Sequence, residues 1–135
     1  MRVYIAYKYR AVDNKNELIR DLEQVSGAIA TLEHHPFVLG RDVQKWHASS
    51  GSVYRTIPHI FANIIKSDLV FAYVNSDAKS RGLPFEMYCA KILGKPVILA
   101  KKVGVSLTLW GIKPKQTIEF TSTQDLLDKI KTLSI

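Results

Sequence analysis

Apolar side chains recur along this chain with two periods, and each change of period marks an element. Residues 2–7 (Arg-Val-Tyr-Ile-Ala-Tyr) read as a strand running into a turn. Over 15–33, Leu18, Leu22, Val25, Ile29 and Leu32 fall at i, i+4, i+7, i+11 and i+14, one face of a helix. His34-His35-Pro36 is expected to end that helix, because a residue before proline is pushed out of the helical region. Residues 36–39 give a short second strand, and 40–52, with two glycines and three serines, a loop. A second helix is predicted over 53–66, with Pro58 either in its first turn or kinking it.

The run 69–74 (Leu-Val-Phe-Ala-Tyr-Val) is apolar throughout, which suits a strand covered on both faces. A polar loop over 75–82 leads to Pro84, a residue welcome at a helix start. The helix itself is expected from about 85 to 93, stopped by Gly94 as a left-handed C-cap. Residues 96–100 predict a fourth buried strand and 117–120 a fifth. Ser122 then caps a last helix through Leu126, Leu127, Ile130 and Leu133, with Asp125 near its positive end. Strands alternating with helices in this way predict an α/β fold, a five-stranded parallel sheet with helices on both faces. Ligands in such folds sit beyond the carboxyl ends of the strands, here 6–10, 40–46, 75–86 and 101–106.

Composition narrows the function classes. At 135 residues, 47% apolar and 23% charged, the chain is expected to form one globular domain, residues 1–135. Its longest apolar run, 69–74, falls far short of the roughly 20 residues of a membrane span. No secretory signal opens the sequence, so a soluble, cytoplasmic protein without membrane partners is expected. A single cysteine, Cys89, excludes an internal disulfide and a multi-cysteine zinc site. The four histidines lack metal-ligand spacing, so neither metal nor cofactor is expected. Nineteen Lys and Arg against twelve Asp and Glu leave a net charge of +7. These charges are scattered, which fits a solvated basic surface first, attraction of a small anion such as a nucleotide second, and nucleic acid last.

The stretch Ser80-Arg81-Gly82-Leu83-Pro84-Phe85-Glu86 carries the most chemistry. It follows a buried strand and opens a helix, where small residues let backbone N–H groups approach an anion. Glu86 is expected in the first helical turn. There it either complements the dipole or serves, ionised, as a nucleophile at the floor of a pocket.

Three collinear segments resemble the nucleoside 2-deoxyribosyltransferase and 2'-deoxynucleoside 5'-monophosphate N-hydrolase superfamily. Val3-Tyr4-Ile5-Ala6 is similar to its Ile-Tyr-Phe-Gly opening. The run from Asp68 through Val74, and then from Ser80 to Val97, resembles its central strand, glycine-rich loop, Glu-bearing helix and Gly-Lys-x-Val strand. Val105 to Ile112, with Trp110-Gly111, resembles its Trp-Gly-Val segment. The resemblance implies a flavodoxin-like (Rossmann-like) three-layer sandwich and cleavage of the N-glycosidic bond of 2'-deoxynucleosides or their 5'-monophosphates, by hydrolysis or by deoxyribosyl transfer. It implies Glu86 as nucleophile, positioned by the hydroxyl of Tyr4, and a homodimer or higher oligomer. Ser80 stands where the transferases carry an Asp and the monophosphate hydrolases a Ser, which favours a phosphorylated substrate and hydrolysis. Gly82 falls in the glycine-rich loop, Ser106 stands where the family carries an Asn before its Trp-Gly, Pro84 replaces the loop's second Gly, and Lys8 and Arg10 are candidate phosphate partners. Trp46 could stack on a base. The family's base-protonating acid falls at Ile60 or Phe61 here, so His59 and Asp77 are the substitutes at hand. Two alternatives remain: a TIR-like NAD glycohydrolase, which has a similar sheet and a catalytic Glu, and a catalytically degenerate nucleotide-binding domain.

Overall fold

The computed structural model describes residues 1–7, 15–38, 53–75, 82–105 and 112–133, with only the backbone of Lys15, residues 53–56 and Gly82. Lys8, Arg10, Trp46, Asp77, Ser80, Ser106 and Trp110 lie outside these residues. In chain order the described elements are β1 (Arg2–Tyr7), α1 (Lys15–Ala30), β2 (His35–Val38), α2 (Val53–Ile65) and β3 (Leu69–Val74), then α3 (Gly82–Ile92), β4 (Val97–Lys102), β5 (Gln116–Phe120) and α4 (Thr123–Lys131).

All five strands pair in parallel in the order β2-β1-β3-β4-β5. The chain moves from β1 outward to β2 and then crosses back to β3, so the sheet reverses direction between β1 and β3. That reversal opens the crevice in which open α/β sheets hold their ligands. The order is that of a flavodoxin-like three-layer sandwich, as the sequence resemblance implies.

Strand alternation sorts the core into two layers. Val3, Ile5, Leu69, Phe71 and Tyr73 face α1 and α4, where Leu18, Leu22, Val25, Ile29, Leu126 and Ile130 meet them. Tyr4, Ala6, Val70, Ala72 and Val74 face the other way, onto Ile60 and Ile64 of α2 and Leu83, Met87 and Ala90 of α3. Every residue of β3 is buried, as its unbroken apolar run predicts.

Some helix ends differ from the sequence reading, each for a local cause, while the caps expected at Gly94 and Ser122 are present. α1 stops at Ala30, before the proline can act, and Glu33 turns the chain at φ 66. α3 begins at Gly82, three residues earlier than expected, with Pro84 inside its first turn, where a missing N–H removes no helix bond. Its other end closes on Gly94 at φ 70. The Lys95 N–H reaches the Ala90 carbonyl (2.8 Å) and the Gly94 N–H that of Lys91 (3.1 Å), a Schellman motif. Pro58 is the sixth residue of α2, on its exposed side, so it deletes one helix hydrogen bond without entering the core. Ser122 caps α4 by accepting from the Asp125 N–H (3.2 Å), as its position predicts. β4 runs two residues beyond Ala100 because Lys101 and Lys102 pair with Glu119 and Phe120 of β5.

Candidate active site

The apolar stripe of α3, Leu83, Met87 and Ala90, faces the sheet, and Glu86 falls inside that stripe, three residues after Leu83. Its carboxyl is therefore carried into the layer between helix and sheet and is only 8% exposed. Across from it, Tyr4 of β1 is wholly buried, its ring 5.6 Å from that of Phe37 on the neighbouring strand β2. Among the described residues the Tyr4 hydroxyl has no hydrogen-bond partner. An orphaned buried hydroxyl costs about 1–3 kcal/mol and asks for a reason.

The two groups govern each other's protons. Burial pushes the Glu86 carboxyl from 4.5 up to about 8, and the nearby Tyr4 hydroxyl pulls it partly back. Burial also raises the Tyr4 phenol well above its usual value, and the Glu86 charge raises it further. Phenol and carboxyl are thus near enough to act on each other's protons without completing a well-formed hydrogen bond. The sequence reading has Glu86 ionised in the first turn. In the structure it is the fifth residue of α3, past the reach of the dipole, and desolvation dominates. At neutral pH the free protein therefore holds most of Glu86 protonated.

Cys89, one residue short of a full turn beyond Glu86, is buried, and burial and then the Glu86 charge push its thiol up to about 11. Such a thiol stays protonated and unreactive at neutral pH, in keeping with a packed, inert role.

Of the sequence-predicted site residues that are described, the structure brings Tyr4 and Glu86 together. Gly82 opens the helix that carries Glu86. His59 is exposed on α2, where its backbone carbonyl accepts from the Asn63 amide (2.7 Å), and it is not among the groups that shift Glu86. Asn63 is itself engaged by the Arg2 guanidinium (2.7 Å). Ile60 and Phe61, the two positions that the resemblance aligns with an acid, are apolar and pack in the layer that holds Tyr4 and Met87, Ile60 buried and Phe61 partly so. Lys8, Arg10, Trp46, Ser80 and Ser106 fall outside the described residues.

A second polar cluster escaped the sequence reading. Asp21 of α1 and Tyr73 of β3 are both buried on the opposite face of the sheet, in reach of Thr123 and Asn75. Burial raises both, and the Asp21 charge raises Tyr73 further. Tyr73 stacks on Phe120 with ring centroids 5.8 Å apart. The signal was present in the sequence: Asp21 lies three residues after Leu18, inside the apolar stripe of its helix.

The sheet order, with helices on both of its faces, defines the class: a flavodoxin-like α/β protein. The CMP N-glycosidase BcmB of Clostridium botulinum superposes with a TM-score of 0.70 at 17% identity, over 98% of this chain and 100% of that one. The 2-deoxyribosyltransferase of Bacillus psychrosaccharolyticus gives 0.73 at 21% identity, over 100% and 93%. A conserved protein from Enterococcus faecalis V583 gives 0.68 at 16%, over 96% of each chain. The first two match the superfamily that the sequence resembles, and at these identities what is shared is the fold. No family model and no curated protein sequence matches the chain.

Proposed function

We propose that this protein is an enzyme that cleaves the N-glycosidic bond of 2'-deoxynucleosides or their 5'-monophosphates, with Glu86 as nucleophile. The observation that carries this reading is a buried Glu86 carboxyl close to a buried Tyr4 hydroxyl that has no other partner among the described residues. In the first step a Glu86 carboxylate oxygen bonds to the anomeric carbon, and the base leaves with the bonding electron pair and takes up a proton. Water then attacks the same carbon, the glycosyl ester breaks, and the Glu86 carboxylate is regenerated while the proton from water passes to solvent. Tyr4 donates its hydroxyl to the ionised carboxylate and so holds it in position.

Hydrolysis is favoured over transfer because Ser80 replaces the transferases' carboxylate, and the same serine favours a 5'-monophosphate. Exposed on α2, His59 is not part of this reading. One observation favours a second reading, a nucleotide-binding domain without turnover: Ile60 and Phe61, the positions that the resemblance aligns with an acid, are both apolar and packed in the core layer.

The test incubates deoxynucleosides, their monophosphates and NAD with the protein and with Glu86→Gln, and follows free base and nicotinamide by chromatography. Base release from deoxy substrates that falls about a thousandfold in Glu86→Gln supports the proposal. Nicotinamide release alone points to NAD glycohydrolysis. Binding of monophosphates without release of any base establishes the second reading.

A further inference from the structure

At the end of the sheet where β4 begins, a cleft of about 470 Å³ is bordered by four lysines, Lys91, Lys95, Lys113 and Lys115. Its remaining wall is apolar, formed by Pro96 with Val97 and Ile112. Lys91 and Lys95 have a local reason to be there, since cations near a helix C-terminus meet its free carbonyls. Lys113 and Lys115 have none, for they come from the extended segment before β5. That segment is tied to the sheet by the Lys115 N–H donating to the Val97 carbonyl (2.7 Å). Two separate stretches of chain thus bring four lysines to the border of one concavity, and no carboxylate lines it among the described residues. Asp68, at the same end of the sheet, accepts instead from the Arg2 N–H (2.9 Å).

Four like charges around one space repel one another, and a multivalent anion relieves that repulsion. The volume suits a small molecule, within the roughly 300–1,000 Å³ of ordinary ligand pockets. An extended nucleic acid fits less well, because it is held along a groove with aromatic side chains to stack on, and this wall has none. We propose that this cleft binds the polyphosphate group of a small ligand, the lysines meeting phosphate oxygens and the apolar wall carrying any attached body. The source of that group is either a nucleoside triphosphate or a free phosphate chain. The site is independent of Glu86 and of the activity proposed above.

Calorimetric titration with tripolyphosphate, and separately with ATP, tests this on the full chain and on Lys113→Ala/Lys115→Ala, whose side chains are exposed and leave the core intact. A control, Arg20→Ala/Lys131→Ala, removes the same charge from exposed helix positions elsewhere. Saturable binding that weakens at least about fivefold in the cleft variant and less than about twofold in the control supports the site. Tighter binding of ATP than of tripolyphosphate then assigns the ligand to nucleoside triphosphates, and equal or weaker binding to free phosphate chains. Equal weakening in both variants, or binding of a single-stranded oligonucleotide without any of tripolyphosphate, overturns the proposal.

Discussion

Glu86 lies on the buried side of its helix, and the resulting desolvation, more than the helix dipole, sets its charge. A carboxyl raised from 4.5 to about 8 stabilises the fold while protonated: the contribution is complete below 4.5 and is lost as pH climbs through about 8. Over that span linkage makes the loss a few kcal/mol, at about 1.4 kcal/mol for each pH unit of displacement. Urea unfolding of the wild type is therefore expected to show a lower midpoint at about pH 9 than at about pH 5, and Glu86→Gln, which cannot titrate, a flatter profile. The same displacement governs turnover if Glu86 is the nucleophile: kcat/KM rises with pH through about 8, as the free protein releases the Glu86 proton. Tyr4→Phe separates stability from catalysis. Removing an unpartnered buried hydroxyl leaves stability unchanged or raises it by up to about 1 kcal/mol in denaturant unfolding. It also withdraws the group that lowers the carboxyl, so the pH–rate profile moves to higher pH.

Among the elements, those whose apolar pattern is long and regular were legible, as were the two ends marked by a capping residue, Gly94 and Ser122, while the other helix ends were not. The stripe from Leu18 to Ile29 predicts α1 because buried side chains impose the helical period, and the unbroken run in β3 follows from cover on both faces. Helix ends depend on single backbone angles that the pattern does not encode. The proline at 36 suggested a stop at 33, while the chain turns at Glu33 itself, a non-glycine residue at φ 66. Glu33→Gly is expected to raise stability by about 1 kcal/mol, read as a shift in thermal midpoint, because glycine adopts that angle without strain. Leu22→Ala, which empties the centre of the α1 layer, is expected to cost about 2–5 kcal/mol by the same measurement. The helix carrying Glu86 shows the same divide. Its burying face follows from Leu83, Met87 and Ala90, but its start at Gly82 moves Glu86 from the first turn to the second. One shift of this size separates a carboxylate held by a dipole from a carboxyl neutralised by burial.

Taken whole, the molecule joins an ordinary parallel sheet to a polar pair enclosed beside its point of reversal. Sheet order was implied by the family resemblance and not by hydrophobic period, because strand neighbours are set by crossovers that no local pattern records. Tyr88 and Ile92, one turn apart on α3, stay 45% and 60% exposed. The homodimer or higher oligomer implied by the resemblance would cover such side chains, and size-exclusion chromatography with light scattering is expected to give at least twice the 15.2 kDa chain mass, falling in Tyr88→Glu/Ile92→Glu. The central claim concerns a covalent bond, and it is tested most directly by mass spectrometry of the protein quenched while it turns over a 2'-deoxynucleoside 5'-monophosphate. The account predicts a peptide containing Glu86 that carries the deoxyribosyl phosphate, and no such adduct in Glu86→Gln. Release of base at full rate from a protein whose Glu86 is never modified, or from Glu86→Gln itself, would contradict it.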